Sequence, residues 1–536
     1  MKLIWSQAGS MELRACALAF AALAIRPGAM EAQTYHTCPG SSCELTCPAP
    51  AGSSCRLALP AKGAYLGIFA YQVLDQSSGC ASGVNAQECA IEVREGLLPP
   101  FNTLDLGINR PFAFHMHFFP WTMSPSSSPD IPTTLANNPT CNPNKPANEL
   151  CDDYWHGRVP VIGWKCDQTV YPGYRSSNKA VADGQDDSVI QATRQALAQY
   201  PGPVFLRWAW EFNLIEYGSQ NEVVNNQQVD YCAYYTPPKT LNHKSLAPAY
   251  DDFIAAWQHI WNVFNPSDTA NGTGNVMFFW NPNAGTRHAW DDPSPYYPGD
   301  EYVDWIGIDN FQRSFSISET FDNDFEKTYD ELKGNAKPLM VGANGSPNYA
   351  DLPPPICPPG HPCPNTNPEF QYPYLVGLLY DLQHGQYSHL KGYDYFDAGG
   401  TSGIDFSLDL NRNCITCHPP SMTTGGLEEM AVLGATQQFN ATPQVCSVLL
   451  DPYNISAVHQ QELDVTITVA TTANCPWSVG PLPSWITKKS VESQGEGPNL
   501  GPVGAGSVTL HIAAPDQPGT LQNVYIGGAS ATITIL

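Results

Sequence analysis

A chain of 536 residues with 25 Lys and Arg against 50 Asp and Glu carries a formal net charge of −25, and 42% of its residues are hydrophobic. That balance excludes a disordered chain, because the apolar content fills a core. It also excludes nucleic acid and anionic membrane as partners, because the long-range field repels both. Neutral polysaccharide stays open, and the length leaves room for one large barrel plus a small module.

Residues 1–32 place Lys2 and Arg14 ahead of an apolar run over 15–25 and small residues at Ala29 and Ala32. This is the pattern of a secretory signal peptide, so a secreted, extracellular or periplasmic destination is expected, with no membrane span. Cys16 leaves with that segment. The even number of cysteines that remains points to disulfides in an exported chain, with Cys141–Cys151 and Cys357–Cys363 as local pairs. Residues 33–62, with Cys38, Cys43, Cys47 and Cys55, read as a Cys-rich N-terminal extension.

From residue 63 the pattern changes. Short apolar segments at 65–71, 112–118, 159–164, 204–210, 276–280, 305–309, 338–341 and 390–396 read as strands. Helical stripes lie between several of them: Val189, Ala192, Ala196, Leu197 and Tyr200 behind a Ser188 cap, and Phe253, Trp257, Ile260, Trp261 and Phe264 ahead of Pro266. The expected fold class is α/β, a (β/α)8 TIM barrel over 63–410. Its insertions, 120–157, 212–250, 281–300 and 346–370, follow strand ends, where barrels build their active faces. Residues 411–440 read as a linker, and 441–536 as a small all-β sandwich with strands near 463–470, 507–512, 524–526 and 531–536.

The segment after the fourth strand carries the chemistry. Glu211 lies just past an apolar strand, with Arg207 four residues before it and Asn213 two after. If the extended backbone persists, alternation puts all three on one face. A carboxyl group among Trp208, Trp210 and apolar neighbours has its charged form disfavoured, as a general acid requires. An ordinary Arg–Glu pair at a strand end is the plain alternative.

With these residues in place, the sequence resembles glycoside hydrolase family 26, the β-mannanase family of retaining glycosidases on a (β/α)8 barrel. Arg207, Glu211 and Asn213 match its strand-four motif, the segment 297–309 resembles its approach to strand six, and Lys337–Val341 with Gly345-Ser346 resembles strand seven. The resemblance implies an endo-β-1,4-mannanase fold and a mannan-type substrate, with Glu211 as acid/base. Three positions depart from the pattern. Ala343 stands where the family's nucleophilic glutamate falls, Phe311 where its supporting tyrosine falls, and Trp210 where a histidine precedes the acid/base.

Retaining hydrolysis needs two carboxyl groups about 5–5.5 Å apart, and alanine supplies none. Three readings stay open: a sugar-binding pseudoenzyme, a hydrolase using a substitute carboxylate, and inverting chemistry through water. Asp309 is the preferred substitute, with Asp397 also considered. Glu211 and Asp309 are therefore the candidate catalytic residues. The candidate substrate-binding set is Arg207, Asn213, Trp210, Trp280, Trp290, Phe311 and Tyr395, in which aromatic rings would stack on sugar faces or else fill the core.

No metal and no cofactor are expected. His115 and His117 share a strand face, but no spacing supplies a third ligand. Cys414-Ile-Thr-Cys417-His418 matches the c-type haem motif formally, with a tight disulfide turn as the plainer reading. The pattern at 474–477, 484–486, 504–506 and 526–528 resembles the BACON domain, a small sandwich attached to secreted glycosidases. Trp477 and Trp485 are either ligand platforms or core. A monomer is expected.

Overall fold

The computed structural model describes residues 45, 47, 53–70, 91, 112–121, 129–164, 177–213, 250–268, 272–285, 292–312, 320–346, 371–397, 406, 430, 433–434, 436, 439, 441, 443–497 and 501–536. The signal segment, Trp290, the 357/363 cysteine pair and the 414–418 motif lie outside them. Among the described residues no helix is long and apolar enough to cross a membrane.

Eight parallel strands close into a barrel: β2 (Tyr65–Ala70), β3 (Phe114–Phe119), β4 (Val159–Trp164), β5 (Val204–Trp208), β6 (Val276–Trp280), β7 (Trp305–Phe311), β8 (Leu339–Gly345) and β9 (Leu390–Asp397). The helices between them include α1 (Ile131–Leu135), α2 (Glu149–His156), α3 (Asn178–Ala182), α4 (Asp187–Leu197), α5 (Tyr250–Phe264), α6 (Asp322–Leu332) and α7 (Gln371–Gln383). This is a (β/α)8 barrel, as expected. The strands are buried along almost their whole length, because side chains alternate between two apolar layers. Phe114, Met116, Phe205, Met277, Phe279 and Met340 fill the interior. Ile68, Ile162, Leu206, Trp208, Phe278 and Ile308 pack outward on the helices.

The all-β region forms two sheets. They are built from β1 (Ser54–Leu57), β10 (Val445–Asp451), β11 (Asn454–Ala457), β12 (Glu462–Ala470), β13 (Ile486–Gly497), β14 (Gly501–Ala513), β15 (Leu521–Ile526) and β16 (Ala529–Ile535), one in the order β1-β10-β12-β14-β13 and the other in the order β11-β16-β15. Strand β1 (Ser54–Leu57) comes from the N-terminal extension and pairs antiparallel with β10. Disulfides Cys47–Cys55 and Cys446–Cys475 join segments in this region, and Cys141–Cys151 forms as expected within the insertion between β3 and β4 of the barrel. Trp477 is core: it is buried and its indole N–H donates to the Gly504 carbonyl over 2.7 Å.

Strand β1 also ties the sandwich to the barrel. Leu57 and Leu59 pack into the interior cluster beside Tyr65, Met277 and Trp305, residues at the N-terminal ends of their strands. Arg56 is buried between the two parts. Its Nε donates to the Gly527 carbonyl at 2.9 Å, and its Nη1 to the Val276 carbonyl at 2.9 Å and Asp304 Oδ2 at 3.0 Å. On the far side, Tyr525 donates to the Pro266 carbonyl and meets the Trp261 ring edge-on. The sandwich thus caps the end of the barrel opposite the strand C-termini. Arg56→Ala removes these three hydrogen bonds and the cation paired with Asp304, so an unfolding free energy lower by about 2–4 kcal/mol is expected from urea titration.

Candidate active site

The site is built on interior positions near the C-terminal ends of the strands. Alternation along β5 turns Phe205 and Arg207 inward. The Arg207 guanidinium is fully buried: Nε donates to Asn281 Oδ1 at 2.8 Å, Nη1 reaches Met116 Sδ at 3.2 Å, and Nη2 pairs with Asp309 Oδ2. Asn281 Nδ2 in turn donates to Asp309 Oδ1 at 2.8 Å. Guanidinium, amide and carboxylate therefore close a ring across the interior. Two glycines make room for it, since a Cβ at Gly307 or Gly342 would overlap the Asn281 amide.

Beyond Trp208 the extended backbone stops. Ala209 and Glu211 both take φ of +55°, a left-handed conformation that costs a non-glycine residue about 1–3 kcal/mol. The Glu211 N–H donates to the Asn281 carbonyl at 2.9 Å, which helps to hold the turn. Glu211 is buried at 6% exposure, and its charge acts on Asp309. Burial pushes the Asp309 carboxyl up to about 7 against the pull of Arg207, and Glu211 adds to the rise. Asp309 binds its proton more tightly folded than unfolded, so its contribution to stability is complete below about pH 4 and is lost as pH rises through 7. Thermal unfolding followed between pH 5 and 8 is expected to fall with rising pH from this source, with a flatter slope in Asp309→Asn.

Strand β8 carries a bulge here. Ile308 pairs with Val341 but Asp309 pairs with Ala343, so Gly342 is the extra residue. Ala343 is buried, packs with the interior cluster and lies directly across the ladder from Asp309. Asp394 on β9 also belongs to this level, with its carboxyl carbon close to where a Gly67 Cβ would sit. It is fully buried and neither of its oxygens has a hydrogen-bond partner among the described residues. Burial holds its carboxyl well above the usual range, opposed by Arg207 and reinforced by Asp309.

An aromatic collar lies above. Phe69 stacks on Phe396 at 4.7 Å between centroids and meets Phe118 edge-on at 5.1 Å. Phe311 meets Phe396 at 5.6 Å and Phe406 at 5.0 Å. Half-buried Trp210 packs on Phe118 at 4.9 Å, with the Arg207 guanidinium 5.6 Å from its ring centroid.

The structure brings Arg207, Glu211, Asp309, Trp210 and Phe311 together and corrects four expectations. Trp280 is no open platform. The parity of β6 points it outward, where it is fully buried against Phe212 and Tyr297. Tyr395 is likewise outward and buried, its hydroxyl donating to the Phe406 carbonyl at 3.1 Å. Asn213 does not continue an extended face. After the turn its amide exchanges hydrogen bonds with the main chain of Asn283, at 3.0 and 2.8 Å, and fastens two loops together. Asp309 is 1% exposed with both oxygens held by Arg207 and Asn281, which suits a positioning residue better than one that attacks a sugar.

Asp394 was missed, although alternation along β9, with Tyr393 and Tyr395 outward, was a signal for it. The third partner of the strand-β3 histidines was missed too. Both rings point outward and meet Asp153 of α2, a helix residue that no strand spacing reveals.

Part of the chain is similar to known glycosidases. Residues 253–353 match the profile of the family described as Glycosyl hydrolase family 26. The matched stretch runs from α5 through β8 and includes Asp309, Phe311 and Ala343, while Arg207 and Glu211 lie before it. Endoglucanase H of Acetivibrio thermocellus is 26% identical over 193 residues, a match spanning 35% of this chain and 18% of that enzyme. Among solved structures, the chain is similar to the catalytic domain of a Bacillus sp. JAMB-750 GH26 endo-β-1,4-mannanase, at 13% identity and a TM-score of 0.42 over 70% of this chain and 87% of that one. It is also similar to a β-mannanase from a symbiotic protist of the termite Reticulitermes speratus complexed with gluco-manno-oligosaccharide, at 13% identity and a TM-score of 0.38 over 76% of this chain and 98% of that one.

Proposed function

We propose that this chain is a secreted, monomeric barrel protein of the family 26 kind that acts on β-linked mannan-type polysaccharide. In this reading Glu211 stands in the general-acid position and Trp210 and Phe311 border the sugar site. Binding persists, while retaining hydrolysis is crippled because Ala343 occupies the place of the nucleophile. The observation that carries the proposal is the ring of Arg207, Asn281 and Asp309 beneath the strained turn of Glu211, with Ala343 across the ladder from Asp309. In this reading these residues prepare a retaining site that lacks its attacking group.

The domain limits go with this reading: a barrel over 63–410, a linker over 411–440 and a BACON-like sandwich over 441–536. The buried Trp477 and the sandwich's seat on the barrel's N-terminal end favour a spacer or cap over a sugar-binding module. Incubation with galactomannan, glucomannan and mixed-linkage glucan, with binding and reducing ends measured together, tests the proposal. Saturable binding to the mannans with reducing ends near the blank is expected. Wild-type turnover at ordinary glycosidase rates, about 1–10³ s⁻¹, would show that another carboxylate does the work.

A further inference from the structure

We propose that His115, His117 and Asp153 form a buried site for a divalent transition-metal ion of the zinc class. The site lies between strand β3 and helix α2, in the outer layer of the barrel and apart from the Glu211 site. Alternation along β3 sets the two imidazoles side by side, with ring centroids 4.2 Å apart. Asp153 faces both: its Oδ1 is 2.8 Å from His115 Nδ1 and its Oδ2 2.6 Å from His117 Nε2. One donor atom from each residue lies within 4.8 Å of the other two, and all three side chains are almost wholly buried. Zinc binds such nitrogen and oxygen atoms at about 2.0–2.2 Å, so donors sharing one ion sit roughly 3–3.5 Å apart. The two imidazole–carboxylate separations open to that spacing by less than about 1 Å.

The surroundings favour a cation. Asp153 and Glu149 on α2 face these imidazoles together with one permanent cation, Arg158. Its Nη1 is 2.9 Å from Asp152 Oδ2 and 3.4 Å from Asp153 Oδ1, so its stronger bond goes to Asp152. With neutral imidazoles the carboxylates outnumber the cation, and buried negative charge is costly unless compensated. The outer nitrogens also fit. His115 Nε2 and His117 Nδ1 have no hydrogen-bond partner among the described residues, and His117 Nδ1 is 3.9 Å from Glu149 Oε2. A metal on His117 Nε2 leaves the ring proton on Nδ1, facing Glu149, the carboxylate–histidine–metal arrangement that fixes ring orientation. Loading displaces the protons now between the imidazoles and Asp153 to the outer nitrogens or to solvent.

The full chain, produced in zinc-supplemented medium and desalted, is assayed by plasma mass spectrometry. About one zinc per chain is expected, falling below about a tenth in His117→Gln. Less than a tenth in the wild type, or undiminished zinc in a folded variant, overturns the proposal. X-ray absorption on the wild type, loaded with cobalt, keeps the test decisive if the variant does not fold. A shell of nitrogen and oxygen supports the site, and sulfur in the shell overturns it.

Discussion

A protein carrying Ala343→Glu and Phe311→Tyr together is expected to release reducing ends from galactomannan about three orders of magnitude faster than the wild type, the scale on which loss of a covalent nucleophile acts. Ala343 faces the interior across the ladder from Asp309, so a carboxylate introduced there enters the same level as Arg207 and the approach to Glu211. It also enters a place already acidic. Asp309 is ionised only at the expense of burial, and a second carboxyl beside it raises one of the two further. The acid limb of the double variant's activity should therefore lie at higher pH than an ordinary carboxylate gives, and activity should collapse when Glu211→Gln is added. Tyrosine at 311 supplies the hydroxyl that the Phe311 ring, packed on Phe396 and Phe406, lacks. A folded double variant with no gain in reducing ends would contradict the placement of the site.

The second large effect is on stability. Arg207→Met removes the one guanidinium that compensates Asp309 and leaves the Asn281 amide oxygen without its donor. Breaking a fully buried pair from one side costs about 3–5 kcal/mol. A loss of that size in urea titration is expected. Adding Asp309→Leu should recover most of it, because replacing both members by apolar groups is often near neutral. A loss under about 1 kcal/mol for Arg207→Met would mean that the ring contributes little.

The barrel was legible because its strands announce themselves twice. Continuous apolar runs such as Val-Pro-Val-Ile-Gly-Trp at 159–164 need two buried faces, and helical stripes between them supply the second layer. What periodicity does not give is the parity at a strand's end. Trp280 could be a platform or core by sequence, and Phe279 and Asn281 inside the barrel force it outside. Alternation also failed at Glu211, where two left-handed residues re-aim the chain. The partnership of β1 with β10 joins positions nearly four hundred residues apart, and Asp153 meets the histidines from a helix. Neither contact leaves a local trace. Ala343 and Phe311, by contrast, were visible as single letters; Ala343 lies across the ladder from Asp309, and Phe311 joins the aromatic collar.

Titration calorimetry of the wild type with a β-1,4-mannan oligosaccharide, with the titrated mixture then assayed for reducing ends, addresses the central claim most directly. The account predicts saturable binding that weakens in Trp210→Ala, together with an oligosaccharide recovered intact. Absence of binding, or cleavage of the ligand by the wild type while Ala343 is in place, would contradict it.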